Sequence, residues 1–308
     1  MRVLVLGAGA VGGYFGARLA EGGHDVTLMA RGANLEALRG DSLVLQLPEG
    51  PHRYPGLRAV DDPALAPPPE LVLVCVKSYD TPAAAHALRP VVGRDTIVLS
   101  LQNGVENETI LAEVLGLPPL LIGLTFIGVE LVAPGTVHYT GRGEILFGEP
   151  DGRESPRARR LAEVLASARV PFQLRGDAMV VAWEKLAWNA GFNAVTTLTG
   201  RTVGEALAQQ ASRDLVAATM IETDAVATAL SVAVRRDRIA RVLAESAAEM
   251  PRFATSMLQD LRRGRRLEHD ALNGAVVRAA ARAGVAAPHN RTLLALLARL
   301  DRGAGPGS

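Results

Sequence analysis

Lys185, Asn189 and Asn193 recur at every fourth position of WEKLAWNAGFN. In a helix this spacing lines up one ammonium and two carboxamides along a single face. Trp183, Leu186, Ala187, Trp188, Ala190, Phe192 and Val195 make the rest of that helix apolar. Polar groups in such a setting are costly unless they meet partners. A ligand rich in carboxylate, keto and hydroxyl oxygens would supply them. Interhelical hydrogen bonds by the asparagines, with Lys185 in solvent, are the alternative. An ammonium aimed at a ketone oxygen stabilises the negative charge that builds there during hydride reduction, and then supplies the proton. Desolvation favours that role, because it lowers a lysine's pKa towards neutrality. Of 33 Lys+Arg residues only Lys77 and Lys185 are lysine. Those two positions are therefore candidates for chemistry that a guanidinium cannot perform.

A second group of residues lies at the start of the chain. Gly7-Ala8-Gly9-Ala10-Val11-Gly12 is a GxGxxG turn between a strand-like run and a helical one. The first glycine permits the tight turn, the second admits a pyrophosphate, and the third lets helix and strand approach. Phosphate oxygens would meet the free N–H groups of Ala10, Val11 and Gly12 at the helix start. Glycines that only make a tight turn are the alternative. NAD-binding chains carry an acidic residue at the tip of the second strand. Here that tip reads Leu28-Met29-Ala30-Arg31, and Asp25 lies at the strand's other end. Arg31 suits the 2′-phosphate of NADP, although it could also be a solvated loop arginine. Lys77 and Asn103 follow two further strand-like runs, where open α/β sheets bind ligands. Lys77 could meet cofactor phosphate or ribose, and Asn103 could position nicotinamide or substrate. Asn103-Gly104 could instead be an ordinary turn.

A third cluster comprises Ser256, Gln259, Asp260, Glu268, Asp270, Asn273 and Gly274. Glu268 reads either as a site carboxylate or as an ordinary helix-start residue. The run Arg262-Arg263-Gly264-Arg265-Arg266 lacks interleaved aromatics and is flanked by acids, so it reads as a solvated turn. Cys75 reads as an inert buried strand residue. No His, Cys or carboxylate spacing suits a metal, and His138 and His269 take structural readings.

These residues need elements to hold them. With 308 residues, two domains are expected. A hydrophobic content of 48% can build a sizeable core. The net charge of +1 gives no global attraction to nucleic acid or an anionic membrane. A single cysteine excludes an intrachain disulfide. The first apolar run is too short for a signal peptide, and no run is long enough for a transmembrane helix, so a soluble cytoplasmic protein is expected.

Arg2–Leu6, Val26–Ala30, Leu71–Val76, Thr96–Leu101 and Leu121–Val129 read as strands of a doubly wound parallel sheet. Leu43–Leu47, Thr136–Tyr139 and Glu144–Phe147 read as further strands, the last two a hairpin about Gly141-Arg142-Gly143. From Asp177, a candidate N-cap, helical patterns follow: Asp177–Thr197, Val203–Leu230, Arg235–Ala248, Thr255–Arg262 and Glu268–Ala283. The expectation is an α/β domain over residues 1–175 and an all-helical domain over 176–308, ending in an irregular GAGPGS tail. Apolar surface on the helical half permits a homodimer, and a monomer equally.

GAGAVGGYFG, VKSYDT, LQNG, WEKLAWNAGFN and SMLQDLRRGRRLEHDALNG occur in this order over roughly residues 1–300. In these pieces the chain resembles the ketopantoate reductase (2-dehydropantoate 2-reductase) family. The resemblance implies an N-terminal Rossmann-type domain, a helical C-terminal domain, and NADPH-dependent reduction of ketopantoate to pantoate on the route to coenzyme A. It implies catalysis by Lys185 and substrate binding by Asn189, Asn193, Ser256 and Glu268. It also implies cofactor contacts at Arg31, Lys77 and Asn103. Some members carry Asn three residues before the serine, where this chain has Phe253; an aromatic there removes a polar contact and reshapes the pocket. A reductase of another 2-oxo acid is the nearer alternative, and a non-catalytic NADP-binding sensor the more distant one.

Overall fold

A computed structural model describes residues 1–118 and 120–301, apart from the side chain of Arg236. The GAGPGS tail lies outside the described residues. Contacts divide the chain into two units. The first comprises Met1–Gln102 and Asn107–Ala178; the second comprises Asn103–Glu106 and the chain from Met179 onward.

The first unit opens with β1 (Arg2–Leu6), α1 (Ala10–Glu21), β2 (Asp25–Met29) and α2 (Gly32–Gly40). Next come β3 (Leu43–Leu47), β4 (Gly50–Tyr54), β5 (Arg58–Val60), β6 (Leu71–Val74) and α3 (Thr81–Leu88). β7 (Ile97–Ser100), α4 (Asn107–Leu115), β8 (Ile122–Ala133), β9 (Thr136–Gly148), α5 (Pro156–Ser167) and β10 (Phe172–Leu174) complete it. Five parallel strands form the central sheet in the order β5-β2-β1-β6-β7. The side-chain period of two in β1 shows why its run is uninterrupted. Val3 and Val5 face a core with Phe15 and Leu19 of α1, while Leu4 and Leu6 face one with Ala84 and Leu88 of α3. Both faces are covered, as a doubly wound sheet requires, and the strand order reverses beside β1.

Several strand expectations are corrected. Leu121–Val129 is not part of the parallel sheet: β8 pairs antiparallel with β9 in a second, mixed sheet of order β10-β9-β3-β4. An isolated parallel bridge, Leu99 to Leu121, is its only ladder contact with β7 among the described residues. The fifth parallel strand is β5, three residues long and too short to stand out by pattern. Thr136–Tyr139 and Glu144–Phe147 are one strand rather than a hairpin. Gly141, Arg142 and Gly143 all take positive φ and are absorbed as register shifts, while the turn falls at Pro134-Gly135.

The second unit contains α6 (Ala178–Thr199), α7 (Val203–Ala208), α8 (Gln210–Ala229), α9 (Ile239–Glu249) and α10 (Ser256–Arg262). A π turn (Asp270–Gly274) leads into α11 (Ala275–Ala283), and α12 (Pro288–Leu300) follows. The expected helix Val203–Leu230 is two helices, because Gln209 is extended at φ −91° and ψ 117°. The helix expected from Glu268 begins as the π turn, and α12 is an additional helix opened by Pro288.

Candidate active site

In the first unit the three glycines have three different surroundings. Gly7 takes φ +99°, and a Cβ there would stand 2.8 Å from the Val76 amide nitrogen. A Cβ at Gly12 would meet the Gly7 carbonyl oxygen at 2.2 Å. A Cβ at Gly9 would meet nothing within 4 Å. Gly7 and Gly12 are therefore required by the turn and by the packing of α1 on β1, whereas Gly9 leaves open space. Gly9 caps α1 without a side-chain hydrogen bond, so Ala10, Val11 and Gly12 begin a helix whose N-terminus has no side-chain cap among the described residues. The residues present fit a dinucleotide pyrophosphate.

Arg31 is exposed at the start of α2 and has no ion-pair partner among the described residues. Lys77 is half-buried after β6. Cys75, expected within that strand, lies just past its end and keeps partial exposure. Burial nevertheless pushes its thiol up to about 12, so it offers no thiolate at neutral pH. Asn103, half-buried, belongs with the second unit, where its neighbour Glu106 accepts from Arg278 at 2.7 Å.

In the second unit α6 lies between two apolar clusters. Trp183, Leu186, Ala190 and Ala194 belong to one, and Ala187, Phe192 and Val195 to the other. Lys185, Asn189 and Asn193 run along the seam. Asn189 is 7% exposed and Asn193 2%, yet neither carboxamide hydrogen-bonds within the described protein. The interhelical reading of these asparagines is thereby removed. Lys185 is half-buried beside them.

Two contacts fix the seam's neighbours. Thr196 on α6 hydrogen-bonds Thr255 at 2.8 Å, and Thr255 caps α10, whose first residue is the exposed Ser256. Asn273 donates to the Ala190 carbonyl oxygen at 3.0 Å and holds the π turn, with the buried Glu268 before it, against α6. The Gly274 amide donates to the His269 carbonyl oxygen five residues back at 3.1 Å, so the chain after Glu268 makes a π turn rather than starting directly as an α-helix. Sequence reasoning gave Thr196 and Thr255 no role; the T-S-M-L start of α10 was the available signal for the cap. No group of three or more His, Cys, Asp or Glu among the described residues could hold a metal ion.

The ketopantoate reductase PanE/ApbA family model matches residues 3–152, and its C-terminal counterpart matches residues 177–301. The chain belongs to the ketopantoate reductase family. A 2-dehydropantoate 2-reductase of Halobacterium salinarum is 34% identical over 98% of this chain and 99% of its own. Among solved structures, a PanE/ApbA family ketopantoate reductase from Ralstonia eutropha superposes with a TM-score of 0.89. It shares 35% identity over 97% of this chain and 98% of its own. A 2-dehydropantoate 2-reductase from Geobacter metallireducens gives a TM-score of 0.90 at 33% identity, over 97% and 99%. Within this ketopantoate reductase fold, Phe253 is 40% exposed and its ring centre lies 6.5 Å from that of Trp188. Trp188 in turn stacks on Phe192, so the aromatic group flanks the seam of asparagines. No helix among the described residues is long and apolar enough to cross a membrane.

Proposed function

We propose that this chain reduces ketopantoate to pantoate with NADPH, using Lys185 as the proton donor. The observation that carries this reading is the line of Lys185, Asn189 and Asn193 along α6 between two apolar clusters, the two asparagines being buried residues whose carboxamides make no protein hydrogen bond among the described residues. Their polar atoms stay open to solvent, where a ligand with several oxygens can bond them.

The nicotinamide cofactor supplies the hydride. The open turn at Gly7, Gly9, Ala10, Val11 and Gly12 supports binding of its pyrophosphate, and the exposed Arg31 supports binding of a 2′-phosphate. Lys77 and Asn103 take the adjoining cofactor contacts, and Asn103 also faces substrate. Lys185 holds its proton at Nζ, stabilises the negative charge that grows on the ketone oxygen, and then releases that proton to it. Asn189, Asn193 and Ser256 hold the carboxylate and hydroxyl oxygens of the substrate. Glu268 accepts a hydrogen bond from the substrate hydroxyl and orients it.

Loss of NADPH absorbance with ketopantoate, measured beside other 2-oxo acids and beside NADH, tests the reading. Ketopantoate is expected to give the highest kcat/KM, and Arg31→Ala to narrow the preference for NADPH. Turnover with none of the acids would leave only cofactor binding, and faster turnover of another acid would move the substrate assignment to the pocket beside Phe253.

A further inference from the structure

The carboxamide of Gln102 closes a buried polar cluster at the ends of β6 and β7. Its Nε2 donates to the Val76 carbonyl oxygen at 2.9 Å and to Thr81 Oγ1 at 2.8 Å. Its Oε1 accepts from Ser100 Oγ at 3.1 Å, and Thr81 Oγ1 donates to Asn107 Oδ1 at 2.9 Å. All four side chains are buried, Ser100 and Thr81 completely. Apolar side chains could fill this space without the cost of desolvating four polar groups. A satisfied polar network does what they cannot, since its directional bonds admit a single arrangement.

The bonded backbone positions are specific. Val76 is the residue before Lys77, and Thr81 is the first residue of α3. The chain leaves the first unit after Gln102 and returns to it at Asn107, so the Thr81 hydroxyl ties the departure to the return. Gln102 thus grips the segment 76–81 at both ends, with Lys77 between them.

We propose that Gln102 is a positioning residue for cofactor binding, which holds the backbone of Lys77 without touching the cofactor itself. The inference rests on the reading above that Lys77 meets NADPH. Dissociation constants for NADPH, measured by quenching of tryptophan fluorescence, test it on the full chain. The variants are Gln102→Met, which is unbranched and of similar length but cannot make these bonds, Thr81→Val, Lys77→Ala, and Gln102→Met combined with Lys77→Ala. Gln102→Met and Thr81→Val are each expected to weaken NADPH binding about tenfold. In the Lys77→Ala background, Gln102→Met is expected to add no further loss, because the group it positions is gone. Should Gln102→Met fail to fold, Thr81→Val on the two backgrounds makes the same test. Full additivity, or a lowered melting temperature with unchanged affinity, would reduce Gln102 to core packing and overturn the proposal alone. A wild-type chain that binds no NADPH would instead overturn the proposed function, and this inference with it.

Discussion

The hydroxyls of Thr196 and Thr255 lie 2.8 Å apart, and both residues are fully buried. Thr196 follows Asn193 by three residues on α6, and Thr255 caps α10 and precedes Ser256. One hydrogen bond therefore sets the register between two of the proposed substrate-binding groups. Thr255→Val removes both the cap and this bond, and is expected to destabilise the fold by about 1–2 kcal/mol. It should also raise KM for ketopantoate more than it lowers kcat. Denaturant unfolding and steady-state kinetics check the two parts, and an unchanged KM would detach Ser256 from substrate binding.

Gly9 and Gly12 should respond to the same substitution in opposite ways. Gly12→Ala drives a methyl group to 2.2 Å from a backbone oxygen and is expected to destabilise the fold by about 1–3 kcal/mol. Gly9→Ala meets no protein atom within 4 Å, at a backbone φ of −76° that alanine adopts readily. It should leave the melting temperature close to that of the wild type while weakening NADPH binding. Equal NADPH affinity in Gly9→Ala would place the pyrophosphate elsewhere.

Glu222 gives the second unit an acid-sensitive bond set. Burial alone would raise its carboxyl pKa. The backbone and side-chain donors of Asn290 and His289 outweigh burial and hold it below its ordinary value. Asn290 also accepts from Asn273, which reaches Ala190 on α6. A depressed carboxyl pKa stabilises the fold above the unfolded value, about pH 4.3, and this contribution disappears as pH falls through the folded value. Glu222→Gln should cost about 2 kcal/mol at neutral pH, with the gap to wild type closing below about pH 4. Unfolding free energies across that range check the sign; a gap independent of pH would mean that the charge contributes nothing.

The parts of this architecture that local pattern encodes were readable in advance. Uninterrupted Val/Leu runs announced β1, β6 and β7, and the GxGxxG spacing located the turn before α1. The four-residue period of Lys185, Asn189 and Asn193 placed them on one face of α6. What escaped depended on distant partners. β5 is three residues whose strand character comes from pairing with β2. β9 runs through Gly141-Arg142-Gly143 because β8 accepts its register shifts. The π turn after Glu268 leaves no periodic trace in the sequence, and neither does the grouping of Asn103–Glu106 with the helical unit. The polar residues Thr81 and Gln102 read as generic loop or helix residues until their partners are seen.

The central claim is that Lys185 protonates the reduced ketone oxygen, and single-turnover oxidation of bound NADPH by ketopantoate tests it most directly. Lys185→Ala is expected to lower the rate by roughly 10²–10⁴-fold while its NADPH affinity stays at the wild-type value. A Lys185→Ala rate within about twofold of wild type, a difference well under 1 kcal/mol in the barrier, would contradict the account.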